Sequence, residues 1–160
     1  QRILDNEIDI GIIEGVAHSS YICSESFPGD RLAFICAAAH IFAGKTSKEL
    51  GEIKDQDFIL REKGSAGREI FDGLAASQEL AITPIWQSAS NQAIIHGVKE
   101  GLGISILPYF LVQESLERGE TAEFKIKGLT LNRKFSVIYH RNKFLPKSAM
   151  ALMDLCKGNA

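Results

Sequence analysis

The chain has 160 residues, of which 45% are hydrophobic and 24% are charged, a composition that supports a buried core and argues against intrinsic disorder. Its formal net charge of −2 disfavours a surface that binds a phosphate backbone, because such surfaces need clustered cations. No apolar run reaches the roughly 18 residues of a membrane span. The N-terminus also lacks the basic patch and apolar stretch of a signal peptide, so we expect a cytoplasmic protein without a membrane anchor.

The residue types that most often carry metal binding or catalysis are scattered. Cys23, Cys36 and Cys156 are odd in number and set among apolar neighbours, which predicts reduced thiols and no disulfide framework. The histidines at positions 18, 40, 96 and 140 lack the spacing of metal ligands. There is no Gly-x-Ser-x-Gly motif, and no sequence pattern indicates a catalytic pair of serine and histidine. We therefore expect no metal, no cofactor and no catalytic residues.

Short apolar runs predict the strands. Residues 1–6 are typical of a helix tail, and the apolar run at residues 8–13 predicts a buried strand directly after it. Because a domain rarely begins in this way, we expect an earlier strand-helix-strand portion to be missing. Further strands are predicted at residues 22–27, 31–37, 58–60, 82–87, 103–107 and 135–140.

Helical periodicity lies between these runs, at residues 67–77 and 91–100. Ser90 or Asn91 is a suitable N-cap for the second helix, and Gly101 suits the left-handed position after it. Pro108 and Pro146 are each typical of the start of a further helix. The last helix is predicted to bury one apolar stripe: Ala149, Met150, Leu152, Met153 and Cys156. The alternation of strands and helices predicts an α/β fold.

The segment Gly64-Ser65-Ala66-Gly67-Arg68 joins a predicted buried strand to a helix. Its glycines permit a close approach of the backbone, and the first N–H groups of the helix favour a carboxylate or another oxyanion. Such turns lie at the carboxyl ends of strands, where open α/β sheets bind ligands. The alternative is that the glycines serve only the chain reversal.

Two more segments suit the same role. The passage from Trp86 to Gln92 is a second connection from a strand to a helix start, so two helix N-termini could converge on one anion. Glu14 follows the first predicted strand, where its carboxylate could accept a hydrogen bond from a ligand, although an exposed strand end is an equal alternative. We interpret Trp86 itself as filling core space and leave it out of the site.

The order of these segments resembles a known family. The strand at residues 8–13 with Glu14-Gly15 is followed by Arg61-Glu62, the turn at residues 64–68, the helix start Ser90-Asn91-Gln92, and the block from Gly101-Leu102-Gly103 to Pro108. This order is similar to that of the effector-binding domain of LysR-type transcriptional regulators, and the resemblance covers essentially the whole chain. The turn carries one hydroxyl, on Ser65, where relatives often add a threonine, which leaves the identity of the acid open.

The resemblance implies a periplasmic-binding-protein fold of type II, with two Rossmann-like subdomains and an effector in the cleft between them. Residues 1–37 and 141–160 would form the first subdomain, which would be incomplete, and residues 38–140 the second. The implied effector contacts are Glu14, Gly64, Ser65, Ala66, Gly67, Asn91, Pro108 and Tyr109.

The resemblance also implies partners. These are a small anionic effector, a second copy of the chain in a dimer or tetramer of the full protein, and DNA bound only through a winged helix-turn-helix outside this chain. Two other classes share the fold: the solute-binding protein of a transporter, and an enzyme such as hydroxymethylbilane synthase or a prephenate dehydratase domain. The first should carry a secretion signal, and the second should show a reactive cysteine or an acid-base pair.

Overall fold

A computed structural model of the chain describes residues 1–158, with the backbone alone described at residues 46–48. A short 3-10 helix occupies Leu50–Glu52. The other elements, in chain order, are β1 (Ile10–Glu14), β2 (Ile22–Phe27), β3 (Arg31–Ala37), β4 (Thr46–Lys48), β5 (Ile59–Arg61), α1 (Ala66–Ser77), β6 (Trp86–Ser88), α2 (Asn91–Lys99), β7 (Ser105–Pro108), α3 (Tyr109–Glu117), β8 (Thr121–Ile126), β9 (Leu131–Asn132), β10 (Phe135–His140) and α4 (Lys147–Lys157).

The chain forms two compact units. Unit 1 comprises Gln1–Asp30 and Asn132–Ala160, and unit 2 comprises Arg31–Leu131. These boundaries differ from the expected ones near residues 37 and 141, because β3 pairs with β7 and β8 whereas β10 pairs with β1 and β2. Strand β3 thus belongs to unit 2 and β10 to unit 1, each together with the strands to which it is hydrogen-bonded.

Unit 1 contains a three-stranded antiparallel sheet in the order β1-β10-β2. The first strand was expected to be buried, but β1 lies at the edge of this sheet and Ile12 is 54% exposed. The apolar stripe of α4 was also expected to be buried. Only Ala149 and Met153 of that stripe are buried, and Met150 and Leu152 are exposed, so the helix buries a narrower face than the sequence suggests.

Unit 2 is built around a sheet in which β3 is central. The strand order is β4-β8-β3-β7, and β5 joins β7 through a parallel bridge between Phe58 and Ile104. On its other side β5 pairs in parallel with β6. The predicted strand at residues 82–87 is shortened to β6, and it follows Pro84, which has no N–H to donate to a ladder.

The two faces of this sheet carry separate apolar clusters. Alternate residues of β3 point to opposite faces: Leu32 and Phe34 pack with Phe71 of α1, whereas Ala33 and Ile35 pack with the apolar residues of α2 and α3. Helix α1 therefore covers one face, and α2 and α3 cover the other. The predicted apolar faces of the first two helices are confirmed, since Phe71, Ile94 and Val98 are fully buried.

Candidate functional site

Three helices begin at one edge of the sheet in unit 2. Strands β5, β6 and β7 are neighbours that run in parallel, and they are followed directly by α1, α2 and α3. Because α1 lies on one face and the other two helices lie on the opposite face, the chain leaves adjacent strands in opposite directions. Ligands of open α/β sheets bind in the crevice at such a switch point.

Ser65 is the N-cap of α1. Its Oγ atom is buried without a hydrogen-bond partner among the described residues, and its side chain makes no capping bond to the helix. A buried hydroxyl left unpaired costs about 1–3 kcal/mol, and the first N–H groups of a helix lack intrahelical partners. The start of α1 therefore presents several hydrogen-bonding groups to a ligand.

The next helix start differs. Ser90 is the N-cap of α2, and its hydroxyl accepts a hydrogen bond from the N–H of Ala93 at 3.2 Å. This is the ordinary use of a serine N-cap. The two serines have the same position relative to their helices, and only that of α1 is left without its capping bond.

Arg61 connects these two helix starts. Its guanidinium donates to Asn91 Oδ1 at 2.7 Å and forms two hydrogen bonds with the carboxylate of Glu62, at 2.8 and 2.9 Å. The hydrogen bond from Arg61 lowers the pKa of Glu62. The amide oxygen of Asn91, a predicted effector contact, therefore already accepts a hydrogen bond from a residue of β5.

Arg68, the last residue of the predicted turn, points into the protein. Its side chain is 4% exposed and forms an ion pair with Asp72 at 2.7 Å. It also donates to the carbonyl oxygen of Arg61 at 3.0 Å and to Gln87 Oε1 at 3.3 Å. Arg68 therefore ties α1 to the ends of β5 and β6, and it acts as a positioning residue.

The two glycines of the turn have different requirements. Gly64 has a φ of +93°, a conformation that strains any residue with a Cβ. A Cβ atom at Gly67 would lie 3.4 Å from Leu32 Cδ2, which is an ordinary van der Waals contact. Leu32 is in register with Pro108, so the turn lies beside the end of β7.

Pro108 and Tyr109 form the start of α3. The ring of Tyr109 lies 4.1 Å from the guanidinium carbon of Arg31, in the range of a cation–π contact, and packs against the cluster on the α2 and α3 face. Arg31 is also paired with Glu123, with one nitrogen-oxygen distance of 2.9 Å. We did not predict Arg31 and Glu123 from the sequence, because the two charges lie 92 residues apart.

Glu14 lies in unit 1. Its carboxylate accepts two hydrogen bonds from Arg133, from Nε and from an Nη atom, both at 2.8 Å. The hydrogen bond with Glu14 raises the pKa of Arg133, whose guanidinium also lies 5.1 Å from the ring centre of Phe135. Glu14 thus has a partner within its own unit.

Trp86 was interpreted as filling core space, but it is 40% exposed on the outer strand β6. One edge of its ring covers the helix backbone at Gly97, where a Cβ would lie 2.9 Å from the ring.

Within residues 1–158, no three His, Cys, Asp or Glu side chains are grouped as a metal site would require. The helices found in that range are also too short or too polar to cross a membrane.

The LysR substrate binding domain family matches residues 1–160, and the chain belongs to this family. The HTH-type transcriptional regulator YeiE of Escherichia coli strain K12, described as uncharacterized, is 34% identical over 156 residues, which cover 98% of this chain and 53% of that protein. The chain therefore spans about half the length of such curated relatives.

Solved structures agree with this assignment. The regulatory domain of Synechocystis PCC6803 CcmR in complex with 2-PG has a TM-score of 0.85 and 25% identity, over 98% of this chain and 76% of that one. The effector binding domain of QuiR in complex with shikimate has a TM-score of 0.78 and 20% identity, over 98% of this chain and 74% of that one.

These findings confirm the predicted class, an effector-binding domain of the LysR type with an α/β fold like that of periplasmic binding proteins. They do not favour the transport receptor or the enzymes that share the fold.

Proposed function

We propose that unit 2 binds a small anionic effector at the start of α1, between the carboxyl ends of β5 and β7. The observation that carries this proposal is the buried Ser65 hydroxyl, which has no partner among the described residues. A carboxylate or phosphate oxygen would accept a hydrogen bond from this hydroxyl and from the first N–H groups of α1, with the helix dipole adding to the attraction.

The proposed contacts are the backbone at Gly64, Ala66 and Gly67 and the side chain of Ser65. Asn91, Pro108 and Tyr109 border this region and act mainly through their neighbours, since Asn91 holds Arg61 and the Tyr109 ring packs under Arg31. The proposal leaves out Glu14, because both of its oxygens already accept hydrogen bonds from Arg133.

The ligands of structural neighbours suggest suitable probes. CcmR binds 2-PG and QuiR binds shikimate, and we propose ligands of this anionic class for the present chain. Inorganic phosphate is a third probe, which tests the oxyanion site without assuming the rest of the effector.

The experiment is a titration of the isotope-labelled chain with phosphate, 2-PG and shikimate. Binding is monitored through the NMR shifts of the backbone amides and through calorimetry. We expect shifts at residues 64–67 and a loss of about tenfold in affinity for Ser65→Ala, the equivalent of about 1.4 kcal/mol. Ser77→Ala is the matched control, because Ser77 lies at the other end of α1 and bonds only to Leu74 among the described residues. Equal affinities for the two variants would contradict the proposed contact with Ser65.

We further propose that the chain is the non-enzymatic sensing part of a cytoplasmic transcription regulator that forms a dimer or tetramer and binds DNA through a separate winged helix-turn-helix domain. The relatives that carry this proposal are described as HTH-type transcriptional regulators. Gel-shift assays with the full-length protein and with this chain alone are the test. Only the full-length protein should bind the DNA upstream of its regulated genes, and the effector should change that binding.

A further inference from the structure

The charges around the turn before α1 are balanced. The segment from the end of β5 to the second turn of α1 carries three cations and three carboxylates: Arg61, Lys63 and Arg68, and Glu62, Glu69 and Asp72. Carboxylates of this set hold both arginines, since Glu62 binds Arg61 and Asp72 binds Arg68. This balance limits the negative charge that a ligand at the turn can carry.

Glu62 occupies the guanidinium group nearest the turn. Its two oxygens accept hydrogen bonds from Arg61 at 2.8 and 2.9 Å, and the third nitrogen of Arg61 donates to Asn91 Oδ1 at 2.7 Å. Arg61 also lowers the pKa of Glu62, so Glu62 is a carboxylate at neutral pH. A guanidinium fork is the side chain best matched to phosphate or sulfate, and here a carboxylate of the chain already fills it.

Glu69 places a second carboxylate close to the helix start. It is exposed and lies in the first turn of α1. Its N–H makes the first hydrogen bond of the helix, to the carbonyl oxygen of Ser65 at 3.0 Å, and the N–H groups of residues 66–68 precede it. A carboxylate in this turn interacts with the same positive helix end as a bound anion. Glu69 therefore offsets the charge of the exposed Lys63 beside the turn.

The positive potential that remains at the turn is that of the helix itself. Aligned peptide dipoles act as roughly half a positive elementary charge at a helix N-terminus. A monoanion would leave about half a negative charge uncompensated, and a dianion about one and a half. Because the cost of removing an ion from water rises steeply with its charge, the balanced turn favours the monoanion.

We propose that Glu62 and Glu69 determine the charge of the effector, so that the start of α1 takes a monoanion, such as a monocarboxylate, and disfavours dianions. Both residues act through the charge that they place beside the ligand, and neither needs to touch it. This inference rests on the effector site proposed above and narrows the class of ligand that the site takes.

The test compares three small molecules built on a tetrahedral sulfur atom. Dimethyl sulfone is neutral, methanesulfonate is a monoanion and sulfate is a dianion, and the charges of these anions do not change near neutral pH. Each is titrated into the isotope-labelled chain up to about 50 mM, which covers weak affinities, at constant ionic strength, because salt screens such interactions. The amide shifts at residues 64–67 report binding. We expect methanesulfonate to bind at least about threefold more tightly than either of the other two.

Glu69→Gln removes one negative charge at an exposed position. The interaction of an ion with a nearby charge is proportional to the charge of the ion, so a gain of about twofold for methanesulfonate should accompany a gain of about fourfold for sulfate. The affinity for dimethyl sulfone should not change. Glu117→Gln is the matched control, because it makes the same change in net charge at the end of α3, and it should leave all three affinities as they are.

Glu62→Gln combined with Glu69→Gln should reverse the preference. Arg61 then lacks its carboxylate, and sulfate should bind more tightly than methanesulfonate. If the double variant does not fold, the comparison of the two anions in Glu69→Gln decides the question, since that position is exposed.

The outcomes separate this inference from the effector site. Three results would overturn the inference and leave the effector site to the probes described above: sulfate bound by the wild type as tightly as methanesulfonate, no shift with methanesulfonate, or a gain for sulfate in Glu69→Gln no larger than that for methanesulfonate. Methanesulfonate bound no more tightly than dimethyl sulfone would overturn the anion site itself, and this inference with it.

Discussion

The guanidinium of Arg68 donates a hydrogen bond to the carbonyl oxygen of Arg61, 3.0 Å away, across the turn that joins β5 to α1. A cation that follows a glycine turn suggests a ligand contact, yet this one is 4% exposed and paired with Asp72. The anion binding that we propose for the turn therefore relies on backbone N–H groups and the Ser65 hydroxyl, and Arg68 helps to fix the position of the turn.

Arg68→Lys should lower the free energy of unfolding by roughly 2 kcal/mol, because a lysine ammonium cannot reproduce the fork that holds Asp72, Gln87 and the Arg61 carbonyl. Urea unfolding measures this change. Arg118→Lys is the control, since Arg118 forms an exposed pair with Glu114 on α3, and such pairs contribute less than about 1 kcal/mol. Similar losses in both variants would argue against a positioning role for Arg68.

Gly64→Ala should destabilise the chain by about 1 kcal/mol, because its φ of +93° is unfavourable for residues with a Cβ. Gly73→Ala should stabilise the chain by up to about 1 kcal/mol, because alanine favours the helix more than glycine does. Gly73 lies within α1, and a Cβ there meets nothing within 4 Å. Thermal unfolding of the two variants gives the comparison. A stabilising Gly64→Ala would contradict the conformation of the turn.

Glu14→Gln should destabilise the chain by roughly 2 kcal/mol, because it leaves a half-buried Arg133 with an incomplete partner. Urea unfolding is the measurement. Glu114→Gln removes a carboxylate from an exposed pair and should change stability by less than about 0.5 kcal/mol. If Glu14→Gln kept full stability but lost effector affinity, Glu14 would belong to the effector site after all.

Tyr139 should make stability depend on pH at the alkaline end. Its hydroxyl donates to Glu25 at 2.6 Å, and this hydrogen bond raises the pKa of Tyr139 from 10.0 to about 12. A pKa that is higher in the folded chain means that the contribution is complete below pH 10 and is lost as the pH rises towards 12.

Tyr139→Phe should therefore be less stable than the wild type at pH 7 and should lack this part of the alkaline decline. Urea unfolding from pH 7 to pH 11 tests both expectations. Glu25→Gln tests the stability at acid pH. The hydrogen bond from Lys157 lowers the pKa of Glu25, so the contribution of Glu25 to the free energy of unfolding should be lost as the pH falls below 4.5. An unchanged alkaline decline in Tyr139→Phe would rule out the Tyr139 contribution.

Local patterns in the sequence were sufficient for the α/β class and for most elements, whereas the protein family came from the resemblance in the order of the segments. The strand at residues 22–27, the helices predicted at residues 67–77 and 91–100, and the left-handed Gly101 follow from periodicity and from the conformations that glycine allows. Strand β8 was not predicted, because the charged residues Glu123 and Lys125 interrupt its apolar pattern. Glu123 is only partly exposed, since it pairs with Arg31.

The α/β class, the order of the strands and helices and the position of the glycine turn before α1 follow from the sequence, because each depends on neighbours within a few residues. Tertiary structure alone decided that Arg68 turns inward, that Glu14 is held by Arg133, and that Ser65 keeps a buried hydroxyl without a partner among the described residues. These outcomes depend on residues brought together from distant parts of the chain, and burial and hydrogen bonding are settled only when those parts pack.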